Sequence, residues 1–255
     1  MGALSYLFRS PTIAEEREFE RAHIANRKDW YFQTNPLDRM KNDPAYEAKV
    51  NLIRKHLPVS PGLILDIGGN VAGEAIVLQQ FGRRFLVGDI NDVALGVSKK
   101  RCEVFDLKQP HYLTMDVHNL PIRSDSLSTV TVIEALHHFY SYEQALSEIF
   151  RILEPGGKFV SLEPNGWDPI RRLSEVRDRF RGTIEKSFYQ RQIRRLCQNV
   201  GFESVRIYPV SLLKSASKFS NRPPWRKSIS SFYARLSHRY PVVFGNLLIE
   251  AYKPQ

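Results

Sequence analysis

Acidic side chains recur at the ends of short apolar runs in the first half of the chain. Asp66 lies in the run Leu-Ile-Leu-Asp-Ile, and Asp89 ends the next run 23 residues later. Rossmann-type folds place an acid about 20 residues after the first turn, where its carboxylate accepts both ribose hydroxyls. Asp116 follows a third run, and there it can accept from an adenine amino group while Val117 packs on the ring. The spacing therefore predicts a site for a nucleoside-containing ligand.

The segment between the first apolar run and the following helix is rich in glycine. It reads Gly68-Gly69-Asn70-Val71-Ala72-Gly73. Glycine lets a ligand approach the backbone closely, and the helix N-terminus offers free N–H groups. Such a turn is by itself weak evidence, because a purely structural turn has the same composition. Asn70 also tolerates a positive φ.

Candidate reactive groups follow the fourth apolar run. Glu134, His137 and His138 lie there, and a histidine has a pKa suited to a general base near neutral pH. We predict His137 and His138 as catalytic residues and Glu134 as a ligand contact. The alternative is that one histidine packs or caps while the other binds the backbone. Further pocket candidates are Glu163, Asn165 and the aromatic run Trp30, Tyr31 and Phe32, for which ordinary packing is the alternative.

Alternating strands and helices are needed to bring these side chains together. Short apolar runs alternate with amphipathic helices after Pro61, which predicts an α/β fold with a mostly parallel sheet. The predicted strands are 63–67, 84–89, 111–115, 127–133, 157–163, 202–209 and 245–252, and the principal helices are 72–81, 92–101 and 187–200. We expect a Rossmann-like, doubly wound, seven-stranded sheet with an antiparallel last strand, an N-terminal helical cap and basic insertions.

The order of five motifs resembles the class I, S-adenosylmethionine-dependent methyltransferases of the type 11 kind. The resemblance is good over about residues 60 to 165 and looser towards the C-terminus. The motifs are Leu65 to Gly73, Gly88 to Asn91, Met115 to Val117, Val132 to Phe139, and Arg151 to Lys158. The resemblance implies S-adenosylmethionine as the cofactor. The implied cofactor-binding residues are Asp66, Gly68, Gly69, Asn70, Asp89, Ile90, Asp116, Val117 and Glu134.

Within that resemblance the residues have different implied roles. Asp66 would organise the turn and approach the methionine ammonium, and Gly68 would meet the methionine and ribose portion. Asp89 would hold the ribose, with Ile90 beside the adenine. The glycine loop departs from the family pattern, because Asn70 occupies the usual second glycine position and Gly73 is displaced by one.

The chain is predicted to form one methyltransferase domain over residues 1–255. Its expected parts are a cap (1–58), a cofactor-binding core (59–165), insertions or lids (166–186 and 211–243) and the C-terminal part of the sheet (187–210 and 244–255). Two cysteines without a C-x-x-C spacing suggest neither zinc nor a disulfide framework, and we predict no metal site. No apolar run reaches the roughly 18 residues of a membrane span, so we expect a cytoplasmic protein.

Basic charge is concentrated near the C-terminus. The formal net charge is +10, and no Asp or Glu occurs between Ser204 and Ile249. Such a surface attracts anionic partners, although a solvated basic face is an equal alternative. Residues 228–239 have an amphipathic pattern that would also suit contact with a membrane surface.

Three classes of function remain open at this stage. The first is methyl transfer to a small molecule, such as a hydroxyl of a sugar, a lipid-linked compound or another metabolite, anionic ones included. The second is methylation of RNA or another nucleic acid through the basic face. The third is a non-catalytic cofactor-binding protein, suggested by the irregular glycine loop.

Overall fold

The computed structural model is built around one seven-stranded mixed sheet. It describes residues 26–59, 62–179, 186–212 and 235–255, together with residues 14, 18, 21, 22, 24, 232 and 233. The strand order is β3-β2-β1-β4-β5-β7-β6, and only β7 runs antiparallel to its neighbours. The predicted Rossmann-like fold with an antiparallel last strand is therefore confirmed.

The strands and helices alternate as expected along most of the described chain. The strands are β1 (Leu63–Ile67), β2 (Arg84–Asp89), β3 (His111–Thr114), β4 (Leu127–Ile133), β5 (Leu153–Pro164), β6 (Glu203–Val210) and β7 (Asn246–Tyr252). The helices are α1 (Lys28–Gln33), α2 (Pro36–Asn42), α3 (Pro44–His56), α4 (Gly73–Gln80), α5 (Asp92–Val104), α6 (Tyr142–Ile152), α7 (Pro169–Arg179) and α8 (Gln190–Val200).

Side-chain alternation in the central strand β1 distributes the core over both faces of the sheet. Leu65 packs into a cluster with α6 and α8, whereas Ile64 packs into a second cluster with α3 and α4. Both side chains are buried because helices cover the sheet on each side. This arrangement directs the carboxyl ends of β1, β2, β3 and β4 towards one edge, which is where the predicted site residues lie.

The helices before β1 form the described part of the predicted cap. Asp43 accepts hydrogen bonds from the backbone N–H groups of Ala45 and Tyr46, and Pro44 is the first residue of α3. Asp43 is therefore the N-cap of α3, and proline occupies the first helical position, where its missing N–H is not needed. Val50 and Ile53 then pack α3 against the sheet cluster. The cap is thus attached to the core by apolar contacts through α3.

A few element boundaries differ from the sequence predictions. Helix α5 continues to Val104 rather than ending at residue 101, and α8 begins at Gln190 rather than residue 187. The later start of α8 reflects Phe188, which forms a strand-like bridge with Asn165. Strand β5 begins at Leu153 rather than at residue 157. Gly156, within the added residues, has a positive φ of 76°. Much of the predicted 211–243 insertion lies outside the described residues.

Candidate active site

The glycine turn after β1 is held against β2. The Gly68 N–H donates to the Gly88 carbonyl at 2.8 Å, and Gly68 has a φ of +69°. A Cβ at this position would lie 2.5 Å from the Ala135 Cβ, so no side chain fits without a shift. Two non-glycine residues of the turn, Asn70 and Ala72, also have positive φ angles of 49° and 52°. Gly68 is therefore required by both its conformation and its close contact.

Asp89 connects the end of β2 with this turn. Its Oδ2 accepts from the Asn70 N–H at 2.7 Å, and its Oδ1 accepts from the Asn91 N–H at 2.8 Å. These two bonds fix the carboxylate beside the glycine turn. Asp89 also lines a cavity at the carboxyl edge of the sheet. Its geometry therefore agrees with the predicted ribose contact.

The cavity has a volume of about 800 Å³, which lies within the usual range for small-molecule sites of roughly 300–1,000 Å³. It lies between the cap and the ends of the parallel strands. The predicted site residues that line it are Gly68, Gly69, Asn70, Asp89, Ile90, Asp116, Val117, Glu134 and His138. Trp30 and Tyr31 line the cap side, whereas Phe32 packs into a small apolar cluster instead.

Asp66 lies behind the glycine turn and is not part of the cavity lining. Its Oδ1 accepts a 2.7 Å hydrogen bond from the Thr131 hydroxyl, and its side chain is buried. A Cβ on Gly69 would lie 3.0 Å from Asp66 Oδ2, so the carboxylate supports the turn closely from beneath. Burial raises the pKa of Asp66 to about 7. Its predicted approach to a methionine ammonium stays a prediction.

Asp116 is held by a histidine that the sequence analysis did not select. Asp116 Oδ1 accepts from the His118 backbone N–H at 2.9 Å and lies 2.7 Å from His118 Nδ1. His118 Nε2 accepts from the Ser141 N–H at 3.3 Å, so we assign the ring proton to Nδ1, which donates to Asp116. The Tyr140 ring lies 3.6 Å from the His118 ring, centroid to centroid. The Asp-x-His spacing was the available signal for this pairing.

An ion cluster joins the cap to the core at the same cavity. Lys49 Nζ, on α3, lies 2.9 Å from Glu74 Oε1 and 2.5 Å from Glu134 Oε2. Burial is the largest single influence and acts to raise the pKa of each glutamate, but the charge of Lys49 and its hydrogen bonds together lower both pKa values. All three residues line the cavity. Glu134 was predicted as a ligand contact, whereas Lys49 and Glu74 were missed.

The two predicted catalytic histidines occupy different environments. His138 lines the cavity, whereas His137 is buried and its Nδ1 lies 2.7 Å from Glu163 Oε2. Glu163 also accepts from the Leu136 N–H at 2.9 Å. Burial raises the pKa of Glu163 to about 8. The two imidazole rings lie 4.1 Å apart, centroid to centroid, so His137 packs directly against His138.

Cationic side chains from outside the recognised motifs line the cap side of the cavity. Arg101 is buried on α5, and its guanidinium donates to the Thr34 carbonyl at 3.0 and 2.6 Å. Arg39 on α2 lies over the Tyr46 ring at 4.0 Å. Both arginines line the cavity, together with Arg27. The cavity therefore combines acids at the strand ends with cations on the cap side.

The residues present fit the cofactor that the sequence resemblance implies. Acids end β2 and follow β3, at the places where a ribose and an adenine amino group need acceptors. Ile90 and Val117 supply apolar surface to the same cavity, as an adenine ring requires. Gly68 has no side chain, so a ligand can approach the backbone of the turn closely. Among the described residues, no group of three or more His, Cys, Asp or Glu side chains is arranged to hold a metal ion.

Comparison with known proteins places the central part of the chain in a methyltransferase family. Residues 65–161 match the type 11 family model described as a methyltransferase domain. The demethylmenaquinone methyltransferase of Clavibacter sepedonicus is 28% identical over 133 residues, covering 52% of this chain and 53% of the relative. A phthiotriol/phenolphthiotriol dimycocerosates methyltransferase of Mycobacterium tuberculosis is 25% identical over 167 residues, covering 58% and 61%.

Solved structures share the fold at lower sequence identity. A crystal structure described as a SAM-dependent methyltransferase, possible histamine N-methyltransferase, from Thermotoga maritima has a TM-score of 0.63 and 17% identity. The match covers 92% of this chain and 97% of that one. The chain spans between half and two thirds of the two curated relatives described above. Residues 65–161 therefore match the methyltransferase domain of the type 11 family, and the fold around them is shared with the solved methyltransferase structure.

Proposed function

We propose that this protein transfers a methyl group from S-adenosylmethionine to a small-molecule acceptor. The observation that carries the proposal is the convergence of Gly68, Asp89, Asp116 and His138 on one cavity of about 800 Å³. The curated relatives support it, because those reported above are methyltransferases named for small-molecule substrates. The nucleic-acid alternative is favoured only by the basic charge between Ser204 and Ile249, and none of the described residues of that segment lines the cavity.

The cofactor contacts are assigned from the site geometry. Asp89 would hold the ribose hydroxyls and Asp116 the adenine amino group, with Val117 and Ile90 against the ring. Gly68, Gly69 and Asn70 would supply backbone beside the methionine and ribose portions. Glu134, at the end of β4, would lie at the methionine end. These assignments follow the order of the strand ends around the cavity.

When bound, S-adenosylmethionine supplies a methyl group already activated on a sulfonium. The protein must then mainly align a nucleophile and keep water out. The cap side chains Trp30 and Tyr31, together with Phe139 and Tyr140 beyond β4, provide apolar wall surface for this purpose.

We assign His138 as the general base for a hydroxyl acceptor. Of the two histidines predicted as catalytic, His138 is the one that lines the cavity. His137 is assigned a positioning role, because Glu163 holds its Nδ1 and its ring packs on His138. His137 thus contacts both the buried Glu163 and the His138 ring, whereas Glu163 itself does not line the cavity.

A lipid-linked or otherwise apolar hydroxyl compound is the acceptor class that we favour. The cavity has an aromatic wall, and the relatives named above modify a quinone and a phthiotriol lipid.

Two measurements test the proposed function. Calorimetric titration with S-adenosylmethionine should show binding to the wild type and weakened binding to Asp89→Ala; absence of wild-type binding would contradict the proposal. A methyl-label screen of cell extracts separated into metabolites, lipids and RNA should place the label in the lipid or metabolite fraction. Label in RNA would favour the nucleic-acid alternative, and cofactor binding without labelled product in any fraction would favour the non-catalytic one.

A further inference from the structure

Helix α7 has its polar and apolar faces in an unusual orientation. Glu175 is only 2% exposed, whereas Leu173 is 71% exposed and Val176 is 50% exposed. Amphipathic helices of soluble domains normally place the apolar face inwards. The outward face of α7 is therefore its apolar one, and Ile170 one turn before Leu173 is also exposed.

Polar contacts hold α7 in this orientation. Glu175 accepts hydrogen bonds from the Ser187 hydroxyl and, at 2.6 Å, from the Arg172 guanidinium. At the start of the helix, Asp168 caps the Ile170 N–H at 3.0 Å. A rotation that buried Leu173 would break the hydrogen bonds that Glu175 accepts from Ser187 and Arg172. The outward apolar face is consequently a built feature of the fold.

The apolar surface continues from α7 onto the segment before β7. The buried Asn165 amide accepts from the Trp167 N–H at 3.1 Å and donates to the Val242 carbonyl at 3.0 Å, so these two exposed residues are neighbours. Asp168 accepts from the Tyr233 hydroxyl and from the Gly245 N–H. We use the name α7 face for the exposed apolar residues of these two segments, which are Trp167, Ile170, Leu173 and Val176 around α7 and Phe232, Tyr240, Val242 and Val243 in the segment before β7.

Positive charge accompanies the α7 face. Arg235 and Arg239 are exposed on the helical residues that follow Tyr233, and the sequence from Ser204 to Ile249 contains no acid. Phe232 and Tyr233 belong to the segment 228–239, for which the sequence predicted an amphipathic pattern. The structure separates them, since Tyr233 is buried against Asp168 while Phe232 is exposed.

We propose that the α7 face docks this protein onto the surface of an anionic lipid bilayer. Apolar side chains would enter the boundary between head groups and acyl chains, and the flanking arginines would pair with lipid phosphates. A second copy is a poorer occupant, because two acid-free basic rims would repel one another. RNA is also poorer, since the aliphatic side chains Leu173, Val176 and Val242 offer bases neither stacking nor hydrogen bonds.

Binding of this kind is peripheral. No helix among the described residues is long and apolar enough to cross a membrane. The α7 face lies at the carboxyl edge of the sheet, where β5 ends beside the Glu163–His137 pair. Docking would therefore bring the cavity edge of the sheet close to lipid. The docking proposal does not depend on the proposed methyl transfer.

Vesicle co-sedimentation of the full chain tests the proposal. The wild type should bind vesicles of phosphatidylcholine with added phosphatidylglycerol more strongly than phosphatidylcholine alone, and salt should weaken the difference. The double variant Leu173→Ser with Val176→Ser should lower the partition coefficient roughly tenfold or more, from lost apolar burial. The double variant Arg235→Ala with Arg239→Ala should lose roughly tenfold on anionic vesicles only.

Val104→Ser is the matched control. Val104 is also a half-exposed apolar side chain, but it ends α5 at the opposite edge of the sheet. It should leave vesicle binding unchanged. Equal loss in Val104→Ser and in the α7 pair would overturn the proposal, as would wild-type protein that binds neither vesicle. Self-association or RNA binding abolished by the α7 substitutions, without vesicle binding, would also overturn it.

Calorimetry with S-adenosylmethionine separates this proposal from the proposed function. The α7 double variant should keep wild-type cofactor affinity and an unchanged melting temperature, because Leu173 and Val176 are exposed and do not line the cavity. Vesicle binding by a wild type that does not bind the cofactor would uphold the docking surface while contradicting methyl transfer.

Discussion

Replacing Lys49 with Met removes the only cation that lies within 4 Å of both Glu74 and Glu134 among the described residues. The three side chains are 15%, 22% and 43% exposed, so the cluster is neither fully buried nor at the surface. Exposed ion pairs contribute roughly 0.2–1 kcal/mol, and removing one partner of a buried pair costs about 3–5 kcal/mol. We expect Lys49→Met to lower the free energy of unfolding by about 2 kcal/mol, between these limits.

The loss should depend on pH with a definite sign. In the wild type Lys49 keeps the pKa of both glutamates below the usual range, so the stability they contribute is present above about pH 4.5 and falls below it. In Lys49→Met, burial and mutual repulsion would raise both pKa values. The folded variant would then hold protons that the unfolded chain has released, and its stability would decrease as the pH rises. The difference from wild type should be smallest near pH 5 and largest above pH 7.

Denaturant titrations and thermal melts at these two pH values provide the assay. A loss of about 2 kcal/mol corresponds to a melting temperature lower by roughly 4–8 °C in a domain of this size. Lys100→Met is the matched control, because Lys100 makes a 3.2 Å pair with Glu103 and both side chains are largely exposed. Adding Glu134→Gln to Lys49→Met should restore part of the stability. A Lys49→Met loss that equals the Lys100→Met loss, or that does not change with pH, would refute the reasoning.

Three further predictions concern the cavity. Asp89→Asn should weaken S-adenosylmethionine binding about 10- to 100-fold in calorimetry, because one acceptor of a charge-assisted pair is lost. His138→Asn should lower kcat about 10²- to 10⁴-fold with little change in cofactor Kd. His137→Asn should mainly lower the melting temperature, because Glu163 loses its imidazole partner. The opposite result for the two variants would exchange the roles of the two histidines. Because burial raises the pKa of Asp66 to about 7, its burial should reduce wild-type stability by up to about 4 kcal/mol as the pH rises from 4 to 7. In Asp66→Asn the free energy of unfolding, measured by denaturant titration, should depend less on pH. An unchanged pH dependence would contradict this prediction.

The sheet was predictable from sequence because its strands are short, apolar and separated by amphipathic helices. Strand β1 and the β-branched strand β4 were both placed with the observed bounds. Boundaries were less certain where tertiary contacts compete with local pattern. Phe188 bridges Asn165 instead of beginning α8, and nothing in the local sequence around residue 187 indicates that distant partner.

Site residues were predictable where motifs mark the ends of strands. Asp89, Asp116 and His138 line the cavity as expected, since parallel strands end at a common edge. Lys49 could not be found in this way. It is one of several bases on a cap helix, and only the packing of α3 on the core brings it to Glu74 and Glu134. The same limit applies to His118, whose partner is local but whose second contact, Ser141, is distant in sequence.

The irregular glycine loop first suggested a protein without catalytic function. The geometry of Asn70 weakens that argument, because Asn70 adopts a φ of +49° and its N–H binds the Asp89 carboxylate. A residue with this conformation can occupy a usual glycine position at a cost of about 1 kcal/mol. The loop thereby connects the acid of β2 with the backbone beside Gly68, so the departure in sequence preserves the turn. Whether the protein is a catalyst consequently depends on the cap and on His138, and not on the missing glycine.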